Sequence, residues 1–449
     1  MTKRLQYLVV SLSTVLLAVL MLGLMMGRTN AADASGPAYR HFDVLTEVIS
    51  KIKSDYVEEP NMHNVTLGAV NGLLESIDPY ASYLSPDQYK QYLKSREATR
   101  AGVGLIVSRR FGYVSVVDAI PGSPADKLEL TTGDVIESIN NVGTRDMPLA
   151  YAEMLLQGEA GTTLELSVIR VRKSAEATKI QLTREMVAMP PVTARMLSAD
   201  IGYVKAASLE AGKVAQIAAK VKELAGQGAQ KLVLDVRNNA AGAPLDGLEL
   251  ANLFLDKGTL AASQGQKVQR QTVTADAAKM IWSKPVVVLA NRGTSGGAEL
   301  AATAILDNKR GEVVGERTYG DAAIRKALTM EDGSAVILAV AKFYNAAGKK
   351  IQDEGVAPTL TVIDPNGGDD DADDDAPKAP AATPQPAEKP AEDIQLKKAV
   401  EVLTSGLEAA KKSDPKIAAQ NPDAKPGPDG LKDVVPTTQP GTLGVPRKQ

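Results

Sequence analysis

The residues best placed to do chemistry lie between Asn291 and Asp321. An apolar run, 286–290, leads into a turn of small residues, 293–297, and the pattern then predicts a helix over 298–306. Strand, tight glycine- and serine-bearing turn, then helix is how α/β hydrolytic folds present a nucleophile beside a helix N-terminus. Ser295 supplies a hydroxyl in that turn, but a hydroxyl attacks only when a base takes its proton. The usual base is scarce here. The chain has 2 histidines, His41 and His63, both far from the turn in sequence, and no cysteine. Most histidine-based triads, thiol chemistry, disulfides and a multi-histidine metal site are thereby excluded, and no metal or cofactor is expected. The histidines read as surface or interhelix residues. Ser295 also reads as a polar turn residue or helix cap.

The stretch 291–321 resembles the catalytic segment of the C-terminal processing peptidases, or tail-specific proteases, which are serine peptidases with a Ser-Lys dyad. Their pattern runs roughly G-S-A-S-A-S-E-I and, about ten residues on, G-E-x-T-F-G-K-G-x-V-Q. Here Glu299 takes the family Glu, and Gly-Glu-Arg-Thr-Tyr-Gly at 315–320 takes GExTFG with no gap between them. That register puts the nucleophile position at Gly296, the lysine position at Asp321 and the family Gln at Arg325. The resemblance thus implies a site without its catalytic residues. Gly296 has no oxygen to attack with, and Asp321 can accept a proton that Gly296 does not carry. A displaced dyad of Ser295 with Lys326 or Lys309 is the alternative. A second loop, Asp235-Val236-Arg237-Asn238-Asn239-Ala240-Ala241-Gly242, resembles the family's D-L-R-N-N-P-G-G, whose glycine backbone donates to the oxyanion. Ala240 and Ala241 replace Pro-Gly, and alanine disfavours positive φ, so a disturbed donor is expected. Asp235 and Arg237 are expected to form a buried ion pair that holds this loop.

Several elements must position these residues. Residues 34–95 read as helical, with Phe42, Leu45, Ile49, Ile52 and Tyr56 at spacings of three and four. This region ends on Asp78-Pro79-Tyr80-Ala81-Ser82-Tyr83-Leu84, again similar to a family signature. Residues 96–186 resemble a PDZ domain. Gly102-Val103-Gly104-Leu105 opens a strand, and turns at 122–125 and 133–136 match G-S-P-A and G-D-x-I. The loop and strand Gly102, Val103, Gly104, Leu105, Ile106 and Val107 are the expected peptide-binding residues. Backbone N–H groups of the loop would capture a terminal carboxylate, and the peptide would add as a strand. Pro190-Pro191 breaks the chain near the start of the core, 187–363. An acidic and Ala/Pro-rich linker, 364–390, follows. A helix over 391–412 then carries an apolar stripe, Leu396, Ala399, Val400, Leu403 and Leu407, that reads as docking back on the core. A Pro/Gly-rich tail closes the chain at 413–449.

The first 33 residues set Lys3-Arg4 before an uncharged stretch, 5–27. Its length and flanking charge predict an uncleaved membrane anchor with the body outside the cytoplasmic membrane, the alternative being secretion after cleavage. A formal net charge of −3 argues against nucleic-acid binding. The fold expected from the resemblance is α/β multidomain: a helical N-terminal region, a PDZ domain and a crotonase- or ClpP-like α/β core. The function expected is that of an inactive family member which binds protein C-termini or unfolded polypeptides as an adaptor or regulator, with an active paralogue or an envelope hydrolase as the expected partner. The alternative is an active serine-type endopeptidase using Ser295.

Overall fold

The computed structural model describes residues 37–412 apart from 79, 98–100, 111, 146, 171–173, 211 and 364–392. Helices α1 (Pro37–Asp55) and α2 (Met62–Glu75) come first. Asn61 caps α2 by accepting the Asn64 N–H at 3.2 Å. No described side chain of either helix is buried; Leu45, Ile49 and Ile52 are half-buried, and Phe42 is 57% and Tyr56 61% exposed. Strand β1 (Ser82–Leu84) and helix α3 (Pro86–Glu97) follow.

The next unit is a small sheet. Its pieces are β2 (Leu105–Arg110), β3 (Tyr113–Ala119), α4 (Pro124–Lys127), β4 (Val135–Ile139), β5 (Val142–Gly143), α5 (Leu149–Leu156), β6 (Thr163–Arg170) and β7 (Ser174–Thr183). The strands run β2-β3-β4-β6-β7, with β5 beside β4. Alternate residues Val114 and Val116, with Ile136, Ile139, Leu164 and Leu166, build its core, and α5 covers it with Leu149, Ala152 and Leu156. The order leaves β2 at an edge.

The core unit comprises β8 (Thr193–Met196), β9 (Ile201–Lys205), α6 (Lys213–Gly226), β10 (Lys231–Asp235), α7 (Pro244–Asn252), β11 (Thr259–Gln264), β12 (Gln271–Thr274), β13 (Val286–Ala290), α8 (Gly297–Asp307), β14 (Gly311–Gly315), β15 (Ala323–Thr329), β16 (Ala335–Tyr344) and β17 (Leu360–Thr361). Six strands run β17-β14-β13-β10-β9-β8, and only the β8–β9 pairing is antiparallel. The runs Leu232–Leu234 and Val286–Ala290 are unbroken apolar stretches because both faces of this sheet are covered. Helices α6, α7 and α8 pack on one face. The other face receives α9 (Ile394–Ser405) and α10 (Leu407–Lys412), where Ala399, Val402 and Ala410 meet Val233, Leu289 and Val314. The stripe read in the C-terminal helix therefore docks on the core. A second sheet runs β1-β16-β11-β12, with β15 beside β16, so the N-terminal segment is paired into the core through β1.

One expectation is corrected. Among the described residues no helix is long and apolar enough to cross a membrane, which overturns the anchor and the placement inferred from it. The hydropathy that suggested them is confined to residues 5–27, which lie outside the described residues. The 19-residue α1 that follows is broken by charges, among them Asp43, Glu47, Lys51 and Lys53. The linker 364–390 and the tail 413–449 also lie outside the described residues.

Candidate active site

Two loops meet beyond the carboxyl ends of β10 and β13, where open parallel sheets place their ligand sites. Asn238 N–H donates to Asn291 Oδ1 at 2.9 Å, Ser295 N–H to the Asn239 carbonyl at 2.9 Å, and the Thr294 hydroxyl to the Val236 carbonyl at 2.9 Å. These bonds fix the turn that starts α8. Its N-cap is Gly296, with φ +61° and ψ −122°, and the Gly296 N–H donates to Glu299 Oε2 at 3.1 Å. A Cβ built on Gly296 would meet no heavy atom closer than 4.0 Å, the nearest being the carbonyl oxygens of Gly242 and Asp321. Gly296, Gly242 and Asp321, all singled out from the sequence, thus converge, with room for a Cβ between them.

The loop 240–242 is better set than the sequence suggested. The positive φ falls on Gly242, at +129°, and not on Ala240 or Ala241. The alanines therefore bear no left-handed strain, and the Ala241 carbonyl accepts the Leu209 N–H at 2.7 Å. Behind the loop, Arg237 Nη2 meets Asp235 Oδ2 at 2.7 Å, and Asp235 is wholly buried. This is the expected ion pair. Arg237 also reaches Asp393, at the cap of α9, through Nη1 at 2.9 Å and Nη2 at 2.7 Å.

Glu299, also wholly buried, ties the start of α8 to the following segment. It accepts from the Thr318 hydroxyl, from Gly320 N–H at 2.6 Å and from Asp321 N–H at 2.8 Å. Burial pushes its carboxyl up to about 7 against the pull of those donors. Asp321 Oδ1 accepts from Arg325 Nη2 at 2.7 Å. Burial raises Asp321 as well, and the Arg325 guanidinium opposes the rise. Arg325 in turn lies over the Tyr80 ring, 4.0 Å from its centroid, with Nε 3.9 Å from Asp78 Oδ2. Tyr80 meets the edge of Tyr319 at 6.5 Å, and the Tyr319 hydroxyl is hydrogen-bonded to Ser108 of β2. A chain of contacts therefore runs from Asp321 to the edge strand of the smaller sheet.

A cleft of about 530 Å³ lies over Asp321 and Arg325, walled by Tyr80, Arg96, Glu153 and Ala240. It shares Ile106, Val107 and Glu153 with a groove of about 380 Å³ that runs to Gly102, Val103, Gly104 and Leu105. All six residues expected to bind peptide line this groove. Ile120 N–H donates to the Gly104 carbonyl at 2.8 Å, and Leu105 stands opposite Ala119. That makes Leu105 and Ala119 a non-hydrogen-bonded pair, so the backbone N–H and C=O of Leu105 face the open edge. Gly104 has φ +78°, and a Cβ there would collide with Ser123 Cβ at 2.2 Å, so only glycine fits.

The lysines of the displaced dyad stand elsewhere. Lys309 follows the far end of α8, 11 residues or about 16 Å along the helix from the Ser295 turn. Lys326 is exposed on β15, next to Arg325, and alternation sends the two side chains to opposite faces. Sequence reasoning quoted Tyr80 without giving it a place in the cleft and missed Arg96 and Glu153. Each sits on a separate element, so no local spacing links them. Among the described residues no group of three or more His, Cys, Asp or Glu could hold a metal ion.

Comparison with known proteins fits this geometry. Residues 200–362 match the model of peptidase family S41, and residues 115–170 match that of the PDZ domain. A chloroplastic C-terminal processing peptidase of Tetradesmus obliquus is 31% identical over 334 residues, 70% of this chain and 72% of the relative. The carboxy-terminal processing protease CtpA of Bacillus subtilis is 29% identical over 321 residues, 71% of this chain and 68% of the relative. Among solved structures, a photosystem II D1 C-terminal processing protease superposes with a TM-score of 0.61 at 28% identity, covering 72% of this chain and 94% of that one.

Proposed function

The chain belongs to the C-terminal processing peptidases of family S41 and carries their PDZ domain, and from that footing we propose that it binds protein C-termini without hydrolysing them. In this reading Gly296 stands where the family nucleophile would stand, Asp321 where its lysine would, and Arg325 where its glutamine would. The observation that carries the proposal is the Gly296 turn. It has the backbone of a nucleophile-bearing strand-to-helix corner, the main-chain carbonyls of Gly242 and Asp321 stand 4.0 Å from a Cβ built on Gly296, and Gly296 itself carries no hydroxyl. Asp321, whose main-chain carbonyl is the group beside Gly296, carries a carboxylate engaged by arginine, where the chemistry would need an amine.

Binding is supported by the free backbone edge at Leu105 and by the continuity of the groove with the cleft. A polypeptide would enter with its terminal carboxylate at the Gly102–Leu105 loop, add along β2 and pass over Asp321 uncut. Such a protein would act as an adaptor or regulator of proteolysis by holding C-termini. The test is incubation of the full chain with an unfolded protein, alongside the Ser295→Ala form, and titration with peptides bearing free or amidated C-termini. No cleavage, with tighter binding of the free-carboxylate peptide, is expected. Cleavage that disappears in Ser295→Ala would overturn the proposal, as would indifference to amidation.

A further inference from the structure

The groove and the cleft meet at one side chain. Glu153 of α5 lines both, and it is the one ionisable side chain among the described residues that line the groove. Around it the groove is apolar, with Val103, Leu105, Ile120 and Leu156 in its walls. A carboxylate set against apolar walls calls for a cationic partner. Arg96 and Arg325 draw on Glu153 from the cleft side, and Asp321 opposes it. Yet among the described residues Glu153 makes no hydrogen bond or ion pair, because both arginines are held elsewhere. Arg96 Nη1 donates to the Tyr92 hydroxyl at 2.8 Å, with the guanidinium 5.7 Å over that ring. Arg325 is held by Asp321 at 2.7 Å and lies over Tyr80.

The place of Glu153 along the groove follows from helix geometry. The C-terminal end of α5 stands beside the carboxylate-binding loop, where Gly158 N–H donates to the Ala101 carbonyl at 3.0 Å. Leu156 lines the groove at that end, and Glu153 lies three residues back, about 4.5 Å along the helix axis. An extended ligand added along β2 rises about 3.3 Å per residue and turns every second side chain to the same side. With its last side chain in the apolar end beside Leu156, the next one on that side stands about 6.6 Å away, opposite Glu153.

We propose that Glu153 makes the groove selective for polypeptides with a lysine or arginine two residues before the last. The ligand's cation completes a pair that the protein leaves open at the point where the chain passes from groove to cleft. This inference rests on the capture of C-termini proposed above.

The test uses the full chain and fluorescent eight-residue peptides ending in Xaa-Ala-Val with a free carboxylate, Xaa being Lys, Gln or Glu. Affinities are read by anisotropy at low salt and pH 8. The lysine peptide should bind about threefold to fivefold more tightly than the glutamine one, and the glutamate peptide more weakly than both. Glu153→Gln should erase the lysine preference, and Glu153→Lys should turn it in favour of the glutamate peptide. Glu153 is exposed, so the melting temperature should stay unchanged in both. Equal affinity for the three peptides, or a lysine preference that survives Glu153→Gln, would overturn the proposal while C-terminal capture stands. Indifference of the lysine peptide to amidation of its end would bring down both.

Discussion

At Gly296 the backbone takes φ +61° and ψ −122°. Glycine adopts this at no steric cost, whereas an L side chain pays about 1–3 kcal/mol. The space for a side chain remains, with no atom nearer than 4.0 Å to a Cβ. Gly296→Ser should therefore fold, at a loss of about 1–3 kcal/mol by denaturant titration, whereas Gly104→Ala should cost more because its Cβ overlaps Ser123. The motifs on both sides of α8 singled out Gly296, Asp321 and Arg325, and the structure brings these residues together. Their neighbours were not legible. Glu153 reaches the cleft from α5, and Arg96 from α3, and nothing in the sequence around either residue predicts that meeting. Glu153 also carries a pH signal. Crowding by the cleft walls pushes its carboxyl up to about 7, Arg325 and Arg96 pull it down, and Asp321 adds to the rise. Its side chain is open to the cleft, so water offsets part of that push. Above that pH it is a carboxylate and repels an incoming terminal carboxylate; below it, the group is neutral. Affinity for a free-acid peptide should rise as pH falls from about 8 to about 6, and Glu153→Gln should flatten the profile, as isothermal titration would show.

Among the elements, α8 and α9 are held by opposite means. The N-terminus of α8 is fixed by Glu299, a buried carboxylate reached by the donors of Thr318, Gly320 and Asp321. Helix α9 is fixed by apolar packing together with Arg237, which reaches both Asp235 and Asp393. The two acids of that clasp differ in burial: the Asp235 side chain is 0% exposed and that of Asp393 is 41%. Removing the guanidinium strands a buried charge, so Arg237→Ala should cost about 3–5 kcal/mol. Asp393→Ala should cost only about 1 kcal/mol, because its charge is partly solvated. Thermal denaturation of the two variants separates these expectations. The stripe at 396–407 was enough to predict that α9 docks. The same kind of spacing in α1 was enough to predict a helix, but periodicity marks an apolar face without naming its partner.

Across the whole molecule, the parallel sheet, the PDZ sheet and the N-terminal segment share the floor of one cleft through Asp321, Ile106 and Tyr80. The order of these parts along the chain was readable from composition and turn motifs, because each part carries its own hydrophobic pattern. That they are joined by Tyr319 and Ser108, and by β1 pairing with β16, was not readable, since both contacts span more than two hundred residues of chain. The route of the C-terminus has a consequence of its own. Strand β17 ends at one edge of the sheet and α9 packs on that sheet's face, and residues 364–392 between them are not among the described residues. A protease cut between Ile363 and Asp393 would turn the protein into two polypeptides that stay together without a covalent link. The smaller fragment, supplied separately, should reassociate with the larger one and be displaced only when Arg237 is gone, which makes this end of the chain a natural split point for complementation.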